Sequence, residues 1–173
     1  MNCIDQFGME TVDAVLQLAK VNHWLQGLVV LYSAIDTFAW ASRNSGDVTR
    51  LDFCGWVSAY MNPTVELDCT PEDLYAARCS LLHSSTTESK MSRKGQAREL
   101  WYVTSPYSAA TMQSHVRQVG ATAKVLSMTA LIDAFSRGVM KFSDDLSSDE
   151  ARFRAASDRI RRWLRFVPSE ALR

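Results

Sequence analysis

The chain has 173 residues, 47% of them hydrophobic and 22% charged, close to the averages for a soluble globular protein. That length suits one domain over residues 1–173, able to bury roughly two-thirds of its unfolded surface without a metal or disulfide. Seven Gly and four Pro exclude collagen and low-complexity disorder, and the balance of 19 Lys and Arg against 19 Asp and Glu excludes a uniformly basic nucleic-acid binder.

In chain order, the spacing predicts a helix over residues 9–20 and a second, mostly buried one over 22–43. In the second, Trp24, Leu28, Leu31, Ile35 and Phe38 recur at helical intervals. The turn Asn44-Ser45-Gly46 should end it. A third helix over 48–61 carries Phe53, Trp56, Val57 and Tyr60 and stops at Asn62-Pro63. Trp40, Trp56 and Tyr60 lie in apolar helices and read as core. The clearest start signal is Thr70-Pro71-Glu72-Asp73, with a capping threonine, proline at the first helical position and acids in the first turn. That helix should run to about His83.

Residues 84–98 read as a polar loop, and Leu100–Val103 as a short strand before Ser105-Pro106. Residues 107–121, which hold a lone His115, carry no clear signal. Residues 122–128 are expected to be a second strand that closes a hairpin with the first, followed by a helix over 129–142. An unbroken helical stripe of Val125, Met128, Ile132, Phe135, Val139 and Phe142 is the competing pattern. Ser147-Ser148-Asp149-Glu150 opens a last helix with Phe153, Ala156, Ile160, Trp163 and Val167 on one face. The fold class is mainly α, a helical bundle with one short β-hairpin.

Cysteines stand at 3, 54, 69 and 79 with no paired spacing, as suits free thiols in a reducing cytoplasm. A zinc site from Cys69, Cys79 and His83 fits no common ligand spacing and lacks a fourth ligand. The start, MNCIDQFGME, has neither the basic end nor the apolar core of a secretory signal. The longest apolar stretch, Leu28 to Ile35, is far short of the roughly 20 residues of a membrane span. A cytoplasmic location without a membrane partner is expected, and no cofactor.

Charge is laid unevenly along the chain. Residues 1–77 carry 3 basic and 10 acidic side chains, residues 78–140 carry 8 and 3, and residues 141–173 carry 8 and 6. A polyanion would therefore meet the surface built after Arg78. In DLYAARCSLLHSS, Arg78 is followed after four residues by His83, near the end of the well-capped helix. Five residues give about 140° of rotation and 7.5 Å of rise, so the two side chains flank one groove. A permanent cation shaped to grip phosphate oxygens, beside an imidazole able to move protons, is what RNA cleavage through the 2′-hydroxyl needs. Arg78 would stabilise the phosphate and His83 would transfer the proton. The competing view makes His83 a helix C-cap.

Asp36, within LYSAIDTFAW, would be costly as an unpaired buried acid. It either bonds locally with Ser33 on a narrow polar stripe or pairs with Arg78 and orients it. The loop after His83 holds Lys90, Arg93, Lys94 and Arg98 against Glu88 alone, as expected either of a solvated connection or of RNA-phosphate contacts. The arginines of the last helix, Arg152 to Arg165, fit an ordinary amphipathic surface.

The string RCSLLH, an Arg-x4-His motif late in a buried helix, together with SAIDTF in the preceding long helix, resembles the HEPN (higher eukaryotes and prokaryotes nucleotide-binding) superfamily. The resemblance implies a four- to five-helix bundle and a homodimer that brings two motifs together. It also implies metal-independent endoribonuclease activity in toxin–antitoxin or defence settings, with RNA or a nucleotide as ligand and an antitoxin-type protein as partner. The residue after Arg78 is Cys79, where active members of the family carry Asn, Asp or His. The alternative is thus a catalytically silent module that binds a nucleotide, RNA or a partner protein.

Overall fold

The computed structural model describes residues 2–43, 46–65, 67–84, 86–104 and 108–162. In chain order these form α1 (Cys3–Lys20), α2 (Trp24–Ala41), α3 (Arg50–Trp56), a π-helical turn (Val57–Met61), α4 (Pro71–Ser84), α5 (Lys90–Arg93), β1 (Leu100–Val103), α6 (Ala109–Gln118), β2 (Lys124–Ser127), α7 (Met128–Ser147) and α8 (Glu150–Arg161). The molecule is mainly helical, as its composition implies. Its eight described helices, one of them a single four-residue turn, exceed the four to five expected.

Each boundary has a local cause. Asn2 accepts hydrogen bonds from the backbone N–H groups of Ile4 and Asp5, so α1 starts six residues before the periodicity suggests. Asn22, with φ 60°, turns the chain between α1 and α2, a left-handed position that asparagine tolerates better than most residues. Thr49 and Asp52 cap α3 reciprocally. The expected third helix does not stay α-helical to its end: at Val57 it widens into the π-turn, and the Asn62 N–H reaches the Val57 carbonyl. Across the core the turn packs closely on α7, where Gly138 leaves room for the Tyr60 backbone; a Cβ there would lie 3.3 Å from the Tyr60 carbonyl.

The core is aromatic and centred on α2. Phe38, fully buried, stacks on Trp56 at 5.5 Å and meets the edges of Phe135 and Phe142 at 5.6 and 6.1 Å. Tyr60 is also buried, whereas Trp40 is half-buried, lies under the Arg159 guanidinium and donates from its indole to the Gly46 carbonyl.

The hairpin is overturned. β1 and β2 pair in parallel, Leu100 opposite Lys124 through Val103 opposite Ser127, because α6 occupies the stretch between them. A parallel pair needs such a crossover, whereas a hairpin needs a tight turn. Ser108 caps α6 by accepting from Thr111 N–H. Gln113 then seals the outer edge of β2, its amide donating to the Ala123 carbonyl and accepting from Val125 N–H. The buried Tyr32 hydroxyl shares a 2.5 Å hydrogen bond with that of Tyr102, which ties β1 to α2. The helix expected over 129–142 begins at Met128 and continues to Ser147. Trp163, Arg165 and Val167 lie outside the described residues, as do Asn44-Ser45 and Ser105-Pro106.

Candidate functional site

The site forms where α4 packs against α2 and α3. The start of α4 is fixed by a reciprocal cap: Thr70 N–H donates to Asp73 at 2.9 Å and Asp73 N–H to the Thr70 hydroxyl at 3.2 Å. The helix phase set there places Tyr75, Arg78 and Cys79, all half-buried, on the side of α4 that meets Asp36 of α2.

Arg78 Nε donates to Asp36 Oδ2 at 2.6 Å. The two side chains retain only 20% and 16% of their exposure, so the pair sits at the rim of the core rather than in bulk water. Pairing with Arg78, the sharper of the two readings for Asp36, is the geometry found. Burial raises the Asp36 carboxyl above its ordinary value, and the Arg78 hydrogen bond and charge, with a smaller contribution from His83, pull it back only in part. Burial works against the Arg78 charge too, but the Asp36 hydrogen bond and charge more than offset it and raise the guanidinium. At neutral pH we take both groups as ionised, because a carboxylate accepting a 2.6 Å charge-assisted hydrogen bond is held in its charged form.

The outer edge of the guanidinium is less engaged. Nη1 reaches Cys79 Sγ at 3.9 Å, a weak acceptor, and no carboxylate meets that edge among the described residues. Tyr75 lies beside Cys79, and its ring stands edge-on to Phe53 at 5.5 Å. Burial, then Cys79, raise the Tyr75 hydroxyl above its ordinary value. His83, in the last turn of α4, is exposed. Arg78, His83 and Asp36 therefore belong to one neighbourhood. Tyr75 was missed from the sequence, although it stands one turn before Arg78 on the same helix face.

The basic loop is divided. Residues 90–93 form α5, which packs on α4. Lys90 and Lys94 are exposed. Arg93 pairs with Glu88 at 3.4 Å. Arg98 is drawn to Asp73: its backbone N–H donates to Oδ1 at 2.7 Å, and its Nε and Nη2 donate to Oδ2 at 3.0 and 2.6 Å. Arg98 thus anchors the start of β1 to the start of α4, and its inner donors are occupied.

Cys54 and Cys69 are poor nucleophiles, since burial pushes them up to about 11 and about 12. Among the described residues no three His, Cys, Asp or Glu side chains gather to hold a metal ion, so Cys69, Cys79 and His83 stand apart in that sense. No described helix is long and apolar enough to cross a membrane. Comparison with family models, curated proteins and solved structures finds no match.

Proposed function

We propose that Asp36, Arg78 and His83 form the active site of a HEPN-like, metal-independent endoribonuclease. The observation that carries this reading is the one-sided hold on Arg78: Asp36 takes Nε at 2.6 Å, while among the described residues the outer edge meets only the Cys79 thiol. A guanidinium fixed in this way is pre-organised to receive the charge that grows on phosphate oxygens in a transition state. His83, five residues on and exposed, accepts the proton of an RNA 2′-hydroxyl. The 2′-oxygen then attacks the adjacent phosphorus, and the 5′-oxygen leaves with a proton returned by an imidazolium. The products are a 2′,3′-cyclic phosphate and a 5′-hydroxyl. A two-fold homodimer would bring two His83 side chains to one RNA, one to accept and one to donate.

A second reading, the silent binding module for a nucleotide, RNA or partner protein, is favoured by Cys79. Its side chain lies against the guanidinium edge that the first reading offers to phosphate. The deciding experiment incubates mixed RNA with purified protein in EDTA from about pH 6 to 8, the range in which imidazole changes charge. Cleavage by the wild type, falling on the order of a hundredfold in His83→Ala and in Arg78→Ala, is the expected result. Equal cleavage by all three overturns the assignment. No cleavage by any, with RNA retained only when Arg78 is present, establishes the second reading.

A further inference from the structure

We infer that the groove between α1 and α7, away from the Arg78 neighbourhood, is a docking site for an amphipathic helix of another protein that carries Lys or Arg at one end. The two helices run antiparallel: Asn2 Nδ2 donates to Ser143 Oγ at 3.1 Å at one end, and Gly8 meets Val139 farther along. Gly8 makes the close approach feasible, since a Cβ there would lie 2.6 Å from Val139 Cγ1. The resulting trough encloses about 420 Å³, with Gly8, Met9, Val139 and Met140 along it and Asp5 and Asp144 at one end.

Three observations define the occupant. The first is exposed apolar surface: Met9 and Met140 remain 57% and 63% exposed, and Leu16, seven residues after Met9 and on the same helix face, 42%. Met9 to Leu16 spans about 10 Å, the reach of an i, i+4, i+7 ridge on a partner helix. The second is the chemistry of the walls. Unbranched thioethers adjust to a helical ridge without a preformed pocket. The third is charge. On α7, Asp133 and Asp145 are matched by Arg137 and Lys141, but among the described residues Asp5 and Asp144 have no ion-pair partner. Asp5 stands in the first turn of α1 and Asp144 follows Ser143, so both carboxylates lie at the Asn2–Ser143 end. Basic side chains at one end of an incoming helix complement them, and the same carboxylates repel an acidic helix.

The test titrates the full chain into two labelled Leu/Ala helical peptides, one with lysines at an end and its twin with glutamates there, and reads fluorescence anisotropy at low salt. The lysine peptide should bind at least about tenfold tighter than the twin. Met9→Glu with Met140→Glu should weaken it at least about tenfold, and Asp5→Lys with Asp144→Lys should invert the preference. Met9→Glu and Met140→Glu change exposed side chains and should melt as the wild type does, whereas Asp5→Lys, in the first turn of α1, should lower the melting temperature slightly through the helix dipole and is tested well below its melt. Amide signals of Gly8, Met9 and Met140 should shift on binding, while those of Arg78 and His83 stay. Equal affinity for the two peptides, or affinity unchanged in either double variant, overturns the inference. Displacement by a peptide of residues 163–173 would give the groove to this chain's own tail and overturns it as well. So does a wild-type dimer that Met9→Glu with Met140→Glu dissolves, which would give the groove to a second copy.

Discussion

Asp36 on α2 and Arg78 on α4, 42 residues apart in sequence, meet through a single 2.6 Å hydrogen bond from Nε to Oδ2. The carboxylate has given up most of its water for this contact, and burial already raises its proton affinity. Arg78→Ala therefore strands a carboxylate with the burial penalty opposed only by the smaller pull of His83. The folded variant should hold the Asp36 proton to a higher pH than the wild type does, and higher still than the unfolded chain. A carboxyl raised in the folded state loses stability as pH climbs through its titration, so the cost should be greatest at neutral pH. There it should be about 1–3 kcal/mol, and it should shrink as acid protonates Asp36. Urea melts of Arg78→Ala, Asp36→Asn and the double variant at neutral and acid pH check this. A double variant as unstable as the two losses added together would mean that the pair is not coupled.

Asp73 has the opposite sign. Burial pushes its carboxyl up, but the Arg98 hydrogen bond, the backbone N–H groups of Thr70 and Arg98 and the Arg98 charge together hold it below its ordinary value. The unfolded chain thus binds a proton before the folded one does. The stabilisation is complete above the unfolded value near pH 4 and is lost as pH falls through the lower folded value. Asp73→Asn should cost roughly 2–3 kcal/mol at neutral pH, since a buried carboxylate that accepts from the Arg98 guanidinium, the Thr70 N–H at the start of α4 and the Arg98 N–H before β1 is lost. The gap from wild type should close below about pH 4. A gap that stays constant down to about pH 3 would show that the carboxylate charge is not what matters.

Two glycines should respond to alanine in opposite directions. At Gly138 the added methyl would meet the Tyr60 carbonyl at 3.3 Å and Met61 Cγ at 3.1 Å, and backbone on the far side cannot swing away. Gly138→Ala should lower stability by about 1–3 kcal/mol, several degrees in Tm for a chain of this size. Gly55, exposed within α3, has nothing within 4 Å of the new methyl. Gly55→Ala should raise stability by about 0.5–1 kcal/mol through helix propensity alone. Thermal melts of the two single variants test the close packing of α7 on the π-turn.

What was legible in the sequence was what neighbouring residues decide. The start of α4 follows from Thr70, Pro71 and Asp73, all within one turn. The Asp36–Arg78 contact was legible as one of two options, because a carboxylate in an apolar helix must find a donor. The direction of strand pairing was hidden by α6, a short helix whose apolar face is only Ala109, Met112 and Val116 among polar residues. The π-turn packs on Gly138, far along the chain, and no local pattern announces it. Arg98 read as a phosphate ligand because its neighbours are basic, yet its partner Asp73 lies 25 residues earlier. Long-range partners of charged residues are what a local reading misses.

That division of the basic loop yields a prediction of its own. Lys90 and Lys94 are exposed on and beside α5, which packs on the helix that carries Arg78 and His83. On the proposed ribonuclease reading, each would neutralise an RNA phosphate and release a counterion. Lys90→Ala and Lys94→Ala should each weaken RNA binding without changing the melting temperature. Each should also lower the slope of log affinity against log salt by about 0.7, the single-strand value. Arg98→Ala should do the reverse, lowering the melting temperature because Asp73 loses its partner while leaving the salt slope of the folded protein nearly unchanged. Arg93, held by Glu88 in an exposed pair at 3.4 Å, is worth little to stability and should fall between the two. Filter binding over a salt series, run beside thermal melts, separates the roles. An Arg98→Ala protein that melts normally but loses about one phosphate's worth of slope would return Arg98 to the RNA surface.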